Sequence, residues 1–281
     1  MRNIFAVLKE ELKGDIPEKI VDQIPRGYQK IGDIMVISLK PAMLDYSKVI
    51  AGKLLSLVPR TRTVLLKRGG IKGQLREPDL ELIAGDSNTE TTHIENGCIF
   101  KLDAMKIMFS KGNINERRRI ANLVNVGETV IDMFAGIGYF TVNIAKHAKP
   151  RRVISIEINP LAYRYLLENI GLNKLESVVK PINGDCREIC AEYPDTADRI
   201  IMGLLPSPKA YIHSALTALK RPGIIHYEGI TNTKLGYRDL LAEFISHSDL
   251  KPEEIKLIGY QHIKSYGPRK SHVRIDVYIR E

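Results

Sequence analysis

The sequence predicts an α/β protein, in which a Rossmann-like open sheet follows a smaller α+β region. Two observations lead to this prediction. Between residues 130 and 208, apolar strand patterns alternate with helical patterns, and each strand pattern ends in small or polar residues. Between residues 63 and 103, short strand patterns are separated by turn residues. We therefore expect two domains, one over residues 1–105 and one over residues 106–281.

The N-terminal elements are predicted from local patterns. Residues 1–25 are charged and helix-like, and residues 28–39 have a strand pattern. The apolar spacing over residues 47–57 predicts a helix. The strands within residues 63–103 are expected to pair antiparallel, and a helix over residues 114–124 is expected to lead into the second domain.

An apolar run that ends in an acid and a small-residue loop, Val130–Phe140, is the first candidate ligand site. Glycines let a backbone approach a ligand closely, and the helix that follows offers free N–H groups at its N-terminus. The dinucleotide-binding pattern G-x-G-x-x-G is matched only by Gly136 and Gly138, because Thr141 stands in the third glycine position. That pattern also gives Asp132 no role. A glycine-rich turn that serves packing alone is the alternative interpretation.

The next three strand patterns favour a ligand site. Arg152–Ile156 is followed by Glu157, which lies about 20 residues beyond the loop, the spacing at which a carboxylate accepts hydrogen bonds from ribose hydroxyls. A third strand pattern ends before Asp185, which can reach an adenine amino group, and a fourth ends before Gly203. Because ligands of open α/β sheets bind at the carboxyl ends of strands, these successive strand ends predict a nucleotide-like ligand.

The last strand patterns indicate the type of sheet. Gly223–Tyr227 precedes a helix at residues 235–248, and the chain finishes on a strand pair over Ile255–Tyr260 and His272–Arg280. A dinucleotide-binding fold more often finishes on a further parallel strand. An antiparallel final pair instead predicts a class I methyltransferase-type sheet of seven strands.

The charge of the chain indicates a polyanionic partner. The formal net charge is +9 and the isoelectric point is about 9.3. Basic residues cluster at Arg117–Arg119, at Lys149–Arg152, and at Lys264 with Arg269-Lys270. Dispersed clusters suit contacts with the phosphates of a folded nucleic acid. A basic surface without such a partner is the alternative.

Several other classes of protein are not expected. No apolar run in the sequence is long enough to span a membrane, and charge interrupts the N-terminus too early for a secretory signal. We therefore expect a cytoplasmic protein. The three cysteines, Cys98, Cys186 and Cys190, provide no disulfide framework and no zinc-type spacing, so we expect reduced thiols and no metal site.

Three separate motifs of this sequence resemble the class I enzymes that modify guanosine 37 of tRNA. The first motif comprises Asn96–Asp103, Phe109–Lys111 and Asn115–Ile120, the second is the loop Val130–Phe140, and the third comprises Ser265–Pro268, His272 and Asp276. The resemblance begins near residue 30 and extends to the end of the chain. It implies S-adenosylmethionine as group donor, bound by the second domain, and a tRNA as substrate, with the first domain on the tRNA side.

The family has two branches that must be separated. One branch methylates N1 of guanine 37, and its fourth strand ends in an Asn-x-Pro motif whose amide would hold the guanine edge. In this sequence Gly203 occupies the asparagine position, and the continuation Leu204–Ser207 is similar to the branch that makes wybutosine. Lys111 also departs from the arginine that the methyltransferase branch implies. We therefore expect transfer of the 3-amino-3-carboxypropyl group to 4-demethylwyosine in phenylalanine tRNA.

Two other activities remain as alternatives. The closer one is guanine-37 N1-methyltransferase, and the more distant one is a tRNA-binding module without activity. The short N-terminal region leaves little room for the extra small domain that many of the methyltransferases have, which supports the wybutosine branch. The expected partner is the anticodon loop of phenylalanine tRNA, and a monomer without membrane or metal binding is expected.

The resemblance also implies roles for individual residues. The residues expected to bind the cofactor are Ser110, Lys111, Arg117, Asp132, Ala135, Gly136, Gly138, Glu157, Asp185 and Cys186. The residues expected on the tRNA side are Arg118, Arg119, Gly203, Pro206, Tyr266, Arg269 and His272. Glu116 matches the candidate general base of the family.

Four residues also have a purely structural interpretation. Glu116 could be an acid favoured by the helix dipole, and Arg117 could lie on a solvated helix face. Tyr266 could stack on a base or pack beside Pro268. His226, at the end of the fifth strand pattern, could line the pocket, although a structural histidine with its hydrogen bonds satisfied is the favoured interpretation.

Overall fold

The structure is a computed structural model that describes residues 4–25 and 27–281. The chain divides into two compact units. The first unit runs to Ile94 and includes Ile99–Lys111, whereas the second comprises Glu95–Cys98 and Gly112–Glu281. The division thus falls at residues 111 and 112, and four residues of the first unit's last hairpin belong to the second unit.

In its described residues, the first unit contains a four-stranded sheet with the order β1-β2-β3-β4. The elements are α1 (Ile4–Glu11), α2 (Glu18–Val21), β1 (Gln29–Ile31), β2 (Ile34–Ile37), α3 (Ser47–Leu57), β3 (Thr63–Lys67) and β4 (Leu80–Gly85). The helix predicted over residues 47–57 is confirmed. β3 and β4 pair antiparallel as predicted, whereas β2 and β3 pair parallel, because α3 provides the crossover that parallel strands require.

A hairpin follows this sheet. It consists of β5 (Glu90–Glu95) and β6 (Cys98–Asp103), joined by Asn96-Gly97. Both turn residues have positive φ, 50° and 73°, as the favoured two-residue hairpin turn requires. The Asn96 side-chain amide donates to the Ile114 carbonyl oxygen (3.2 Å) and to Asn143 Oδ1 (3.1 Å). These bonds fix the hairpin turn to the second unit.

The second unit, whose residues are all described, alternates strands and helices along the chain. Its helices are α4 (Ile114–Leu123), α5 (Thr141–His147), α6 (Pro160–Leu172), α7 (Cys186–Ala191), α8 (Ile212–Ala218) and α9 (Tyr237–Ser246). Its strands are β7 (Thr129–Asp132), β8 (Arg152–Glu157), β9 (Val179–Asn183), β10 (Ala197–Met202), β11 (Leu219–Asn232), β12 (Ile255–Gly267) and β13 (Lys270–Ile279). The short helix α7 was not predicted as a separate element.

The strands of the second unit form one seven-stranded sheet with the order β12-β13-β11-β10-β7-β8-β9. β7 to β11 are parallel to their neighbours in this group, and β13 lies antiparallel between β11 and β12. The central strands are apolar on both faces, as in Ile131, Ile154 and Ile200, which are all buried. The predicted class I sheet with an antiparallel final pair is confirmed.

Three strands are longer than the sequence predicts. β10 ends at Met202, opposite Tyr227, but β11 continues to Asn232 and stays paired with β13. The predicted strand stopped at Tyr227 because the charged Glu228 interrupts the apolar run, whereas in the structure Arg274 stands opposite Glu228 and pairs with it. The five extra residues carry β11, with β13 and β12, about 16 Å beyond the end of β10 at the carboxyl edge of the sheet.

Candidate active site

The loop after β7 has the backbone geometry of a ligand-binding turn. Gly136 and Gly138 have φ of 57° and 98°, which residues with a side chain rarely adopt. A Cβ at Gly138 would also come within 3.0 Å of Leu166 and 2.9 Å of Val142. The Ala135 N–H donates to the Ile156 carbonyl oxygen (2.9 Å), which holds the loop against β8. The loop before α5 therefore requires glycine at both of these positions.

Asp132, the last residue of β7, holds the start of α5 next to this loop. It is fully buried, and its Oδ2 accepts a hydrogen bond from Thr141 Oγ1 (2.8 Å), which in turn lies 2.8 Å from Ser155 Oγ. Burial raises the pKa of Asp132 to about 6, although the hydrogen bond from Thr141 acts in the opposite direction. These hydrogen bonds connect β7, α5 and β8. Thr141 occupies the third glycine position because its hydroxyl lies between Asp132 and Ser155 and connects them.

Glu157 connects the loop to the next strand end. Its Oε2 accepts from the Gly136 N–H (2.7 Å), and its Oε1 accepts from the Asn159 N–H (2.7 Å). A carboxylate has about four acceptor positions, so both bonds can persist while hydroxyls of a ligand also donate. The side chain is only half-buried and lies at the carboxyl end of β8. This geometry suits a ribose-binding acid.

Asp185 caps the short helix α7, where its Oδ1 accepts from the Arg187 N–H (2.9 Å). The Arg187 side chain also covers the carboxylate, at 2.5 Å from Oδ2, and this hydrogen bond lowers the pKa of Asp185. Cys186 is the first residue of α7, so its N–H has no carbonyl partner within the helix. An adenine can therefore reach Asp185 only if Arg187 moves, whereas the Cys186 N–H is already placed as a donor.

Arg117 does not lie on a solvated helix face. It is 2% exposed, and its guanidinium is hydrogen-bonded to Glu95, which is 4% exposed. The Arg117 Cζ also lies 4.7 Å from the ring centroid of Tyr139 in the cofactor loop. Arg117 therefore joins the hairpin turn, α4 and the loop, and the surface interpretation of this residue is wrong.

Glu116 is buried between two arginines. Its carboxylate accepts two hydrogen bonds from Arg119, at 2.8 Å and 3.0 Å, and Arg274 Nε lies 3.3 Å from its Oε1. Arg119 also donates to Asp276 at 2.7 Å. Glu116 is thus more than an exposed acid at a helix N-terminus, and Arg119, which is partly exposed, joins it to Asp276.

The ion pairs continue along β11 and β13. Arg274 and Glu228 stand directly opposite each other and are hydrogen-bonded, and His272 Nε2 lies 3.2 Å from Glu228 Oε2. Burial alone would raise the pKa of Glu228, but the Arg274 charge and the His272 hydrogen bond lower it to about 2. His272 is fully buried and contacts Glu228, so its expected place on the tRNA side stays a prediction that its burial does not favour.

His226 is a structural histidine, as favoured. Its Nε2 lies 2.8 Å from Arg199, which can only donate, so Nε2 accepts and the proton is on Nδ1, 2.5 Å from Asp276. Burial lowers the pKa of His226 to about 4, although Asp276 acts in the opposite direction. Arg199 in turn donates to Glu128 at 2.7 Å. A buried ionic network therefore crosses the sheet, and its members are Glu128, Arg199, His226, Asp276, Arg119, Glu116, Arg274, Glu228 and His272.

Gly203 directly follows β10 and lies beside this network. A Cβ at Gly203 would lie 3.1 Å from the Phe140 ring and 3.7 Å from Glu228 Oε2. The Arg274 Cζ lies 4.5 Å from the centroid of the same Phe140 ring. The cofactor loop, the end of β10 and the buried network thus meet at Gly203.

The other candidates lie on the surface or in the first unit. Pro206 and Arg118 are exposed, and Tyr266 is 52% exposed, so the tyrosine is not packed. Arg269 is exposed in the turn between β12 and β13. Ser110 and Lys111 are the last residues of the first unit, so their expected role in cofactor binding stays a prediction.

The three basic clusters differ in what they can bind. In Arg117–Arg119 only Arg118 is exposed, because its neighbours pair with acids. The cluster Lys149–Arg152 is exposed but precedes β8, so it lies at the edge of the sheet opposite the cofactor loop. Arg269 and Lys270 are exposed at the carboxyl edge. Arg269 and Lys270 of the third cluster are therefore both exposed and on the side of the loop, whereas the second cluster is on the opposite side.

Comparison with known proteins identifies the family. A family model described as the TRM5/TYW2 methyltransferase domain matches residues 91–256, and one described as the TYW2 N-terminal domain matches residues 8–89. The chain belongs to the TRM5/TYW2 family. Both compact units of the chain thus have counterparts in this family.

Individual relatives agree with this membership. The chain is 41% identical over 253 residues, 89% of its length and 96% of the relative, to the tRNA(Phe) (4-demethylwyosine(37)-C(7)) aminocarboxypropyltransferase of Methanocaldococcus jannaschii. It is 35% identical to the tRNA (guanine(37)-N(1))-methyltransferase Trm5b of Pyrococcus abyssi, covering 94% of this chain and 78% of the relative. A crystal structure of Pyrococcus horikoshii TYW2 in complex with MeSAdo superimposes with a TM-score of 0.83 at 35% identity, covering 98% and 99% of the two chains.

Sequence patterns missed several residues of the TRM5/TYW2-type site. Glu95, the partner of Arg117, lies in a strand with no site signal. Glu228 and Arg274 were not singled out, although alternation of charged and apolar residues over His272–Asp276 was a usable signal. Because β13 is an interior strand, charges at alternate positions must be buried and paired across to β11.

The thiols and possible metal ligands give no further site. All three cysteines are free and buried, and burial raises the pKa of Cys98 to about 11. The described residues contain no group of three or more His, Cys, Asp or Glu side chains arranged to hold a metal ion. Within residues 4–25 and 27–281, no helix is long and apolar enough to cross a membrane.

Proposed function

We propose that this protein transfers the 3-amino-3-carboxypropyl group of S-adenosylmethionine to 4-demethylwyosine at position 37 of phenylalanine tRNA. The observation that favours this over methyl transfer is Gly203, which directly follows β10 and has no side-chain amide. An asparagine there would place its Cβ 3.1 Å from the Phe140 ring, so Phe140 would have to shift. The named activity of the 41%-identical relative supports the same function.

The residues of the second unit fit the group donor. When bound, S-adenosylmethionine supplies a sulfonium with three electrophilic carbons, so alignment with the nucleophile decides which group is transferred. Gly136 and Gly138 keep the loop open, and Glu157 is placed to accept from the ribose hydroxyls. The Cys186 N–H is free to donate to adenine, and Asp185 can accept from adenine once the Arg187 side chain moves away from its carboxylate. Because the donor is already activated, positioning can supply about 7–11 kcal/mol of the barrier reduction.

Two residues near the loop, Arg117 and Asp132, position it and have no proposed contact with the reacting atoms. Arg117 holds Tyr139 through its ring contact, and Asp132 holds α5 through Thr141. Glu116 is the candidate base for the proton that leaves the ring carbon, and Arg119 and Arg274 hold its carboxylate. Glu116 can act only if the substrate replaces one of these contacts.

Four exposed residues are proposed to face the tRNA: Arg118, Pro206, Tyr266 and Arg269. The net charge of +9 supports a nucleic-acid substrate, because cations that neutralise phosphates release counterions. Arg119 and His272 are left out of this set, because Arg119 is held by Glu116 and Asp276 and His272 is fully buried.

The product decides between the two branches. Phenylalanine tRNA that contains 4-demethylwyosine is incubated with the protein and S-adenosylmethionine, and the modified nucleoside is analysed by mass spectrometry. We expect a gain of one aminocarboxypropyl group, with methylthioadenosine as co-product, and no gain with Glu157→Ala at low donor concentration. A methyl gain with S-adenosylhomocysteine would establish the methyltransferase instead. If the nucleoside gains neither group but the protein still binds the tRNA, the result would support the tRNA-binding module without activity.

A further inference from the structure

The second unit contains a cavity of about 600 Å³ at the tip of its long strands. The lining residues are Asn232, Thr233, Lys234, Ser265, Gly267 and Arg269. They come from the end of β11, the end of β12, the β12–β13 turn and the loop before α9. The lining includes two cations and two hydroxyls but no acid.

The cavity walls are tied together by backbone hydrogen bonds. The Thr233 N–H donates to the Arg269 carbonyl oxygen (3.0 Å), so the segments that carry Lys234 and Arg269 are direct neighbours. Asn232 Oδ1 accepts from the Lys234 N–H (2.9 Å), which fixes the loop as an Asx turn. The Thr233 hydroxyl also lies 3.1 Å from Ser271 Oγ on β13. The two cations are therefore presented by an ordered frame.

The charges of Lys234 and Arg269 are not neutralised by ion pairs with the residues that the structure describes. The two side chains are exposed and start from adjacent backbone segments, so like charges face a common space. An anion placed there gains from both cations and from the hydroxyl donors. A phosphate is the anion that this combination of donors fits.

The position of the cavity limits what it can bind. Asn232 lies five residues beyond Tyr227, the last residue of β11 that faces β10, which is about 16 Å along the strand. The cavity projects from the carboxyl edge, the same edge that carries the cofactor loop. A ligand in the cavity is therefore on the side of the reaction but away from Gly203, where the target base would lie.

We infer that this cavity binds backbone phosphates of the tRNA strand next to the modified nucleotide, through Lys234 and Arg269. This inference rests on the proposed tRNA substrate and adds a second contact region, away from the reacting base. Arg269 then holds a flanking phosphate and does not contact the base itself. A flanking contact of this kind contributes to tRNA affinity and leaves the chemical step unchanged.

The test compares Lys234→Gln/Arg269→Gln with Lys256→Gln. Glutamine removes the charge at Arg269 and, like arginine, has a Cβ at this positive φ, so the backbone strain is unchanged. Lys256 is the control because it is an exposed cation at the opposite end of β12. Binding of an RNA with the anticodon stem and loop of phenylalanine tRNA is measured by fluorescence anisotropy at several salt concentrations. Each lost phosphate contact should reduce the slope of log K against log salt by about 0.7–0.9.

For the double variant we expect weaker RNA binding, a smaller salt slope and a raised KM with unchanged kcat, whereas Lys256→Gln should match the wild type. An unchanged slope, or the same change in Lys256→Gln, would overturn the inference. Binding of inorganic phosphate that depends on Lys234 and Arg269, with an unchanged RNA slope, would also overturn it. If the wild type binds RNA as expected but transfers no group, only the proposed function fails.

Discussion

At the residue scale, the cofactor loop after β7 departs from the dinucleotide-binding glycine pattern for identifiable reasons. Thr141 takes the place of a third glycine because its hydroxyl binds the buried Asp132, and Gly138 is required because a Cβ would contact Val142 and Leu166. Glu157 has a double role, since it already accepts the Gly136 N–H and faces the ligand side. Removing it therefore affects both the loop and the ligand.

Glu157→Ala should weaken S-adenosylmethionine binding about 10- to 100-fold, because a charged acceptor of ribose hydroxyls and of the Gly136 N–H is lost. Isothermal titration calorimetry measures the affinity. Glu176→Ala, which removes an exposed acid from the same unit, is the matched control and should bind like the wild type. Equal affinities of the two variants would contradict the assignment of Glu157 as the ribose acid.

At the scale of elements, β11 and β13 are joined by charges as well as by backbone hydrogen bonds. Glu228 faces Arg274, and His226 faces Asp276, directly across the strand pair. These buried side chains stabilise the sheet only as pairs, because a single buried charge without its partner is costly. The pairing also lets both strands continue beyond the point where their apolar pattern ends.

Arg274→Met should therefore lower the free energy of unfolding by about 3–5 kcal/mol, since it leaves the buried Glu228 without its main partner. Adding Glu228→Gln should recover part of this loss, with a coupling energy of about 1–3 kcal/mol. Urea denaturation followed by circular dichroism measures both values. The control is Lys270→Met at the exposed end of β13, where we expect little change. If the unfolding free-energy changes of the two single variants add up to that of the double variant, the two side chains do not act as a pair.

At the scale of the whole molecule, the buried network links titration to stability. Unfolded histidine binds its proton near pH 6.5, whereas burial lowers the pKa of His226 to about 4. Between these values the unfolded chain binds more protons, so stability rises with pH in this range. The lowered pKa of Glu228 means that further acidification also reduces the stability of the folded chain, at lower pH than the His226 effect.

Acidification from pH 6.5 to pH 4 should thus cost about 3 kcal/mol of unfolding free energy through His226 alone. His226→Gln, which cannot titrate, should flatten the profile in this window, and His213→Gln at an exposed position should not. Denaturant titrations at a series of pH values provide the profile. A His226→Gln profile as steep as that of the wild type would show that other groups cause the acid sensitivity.

Sequence patterns predicted much of this molecule because they report local requirements. The helix over Ser47–Leu57, the strand Arg152–Glu157 and the antiparallel final pair of the seven-stranded sheet follow from periodicity and strand ends. The cofactor loop follows from glycines and an acid at a strand end. These features depend on residues that are close in the chain, so a single segment is sufficient to identify them.

Only the tertiary structure decided which charged residues are free to meet a substrate. Arg117, Arg119 and His272 resemble surface residues in the sequence, but Glu95, Asp276 and Glu228 bind them, and Arg117 and His272 are buried. Their partners are 22, 157 and 44 residues away along the chain. Local pattern cannot reveal such pairs, because burial of a charge depends on what the fold places opposite it. The sequence by itself thus determined the sheet and the cofactor loop, and the fold selected the surface left for the tRNA.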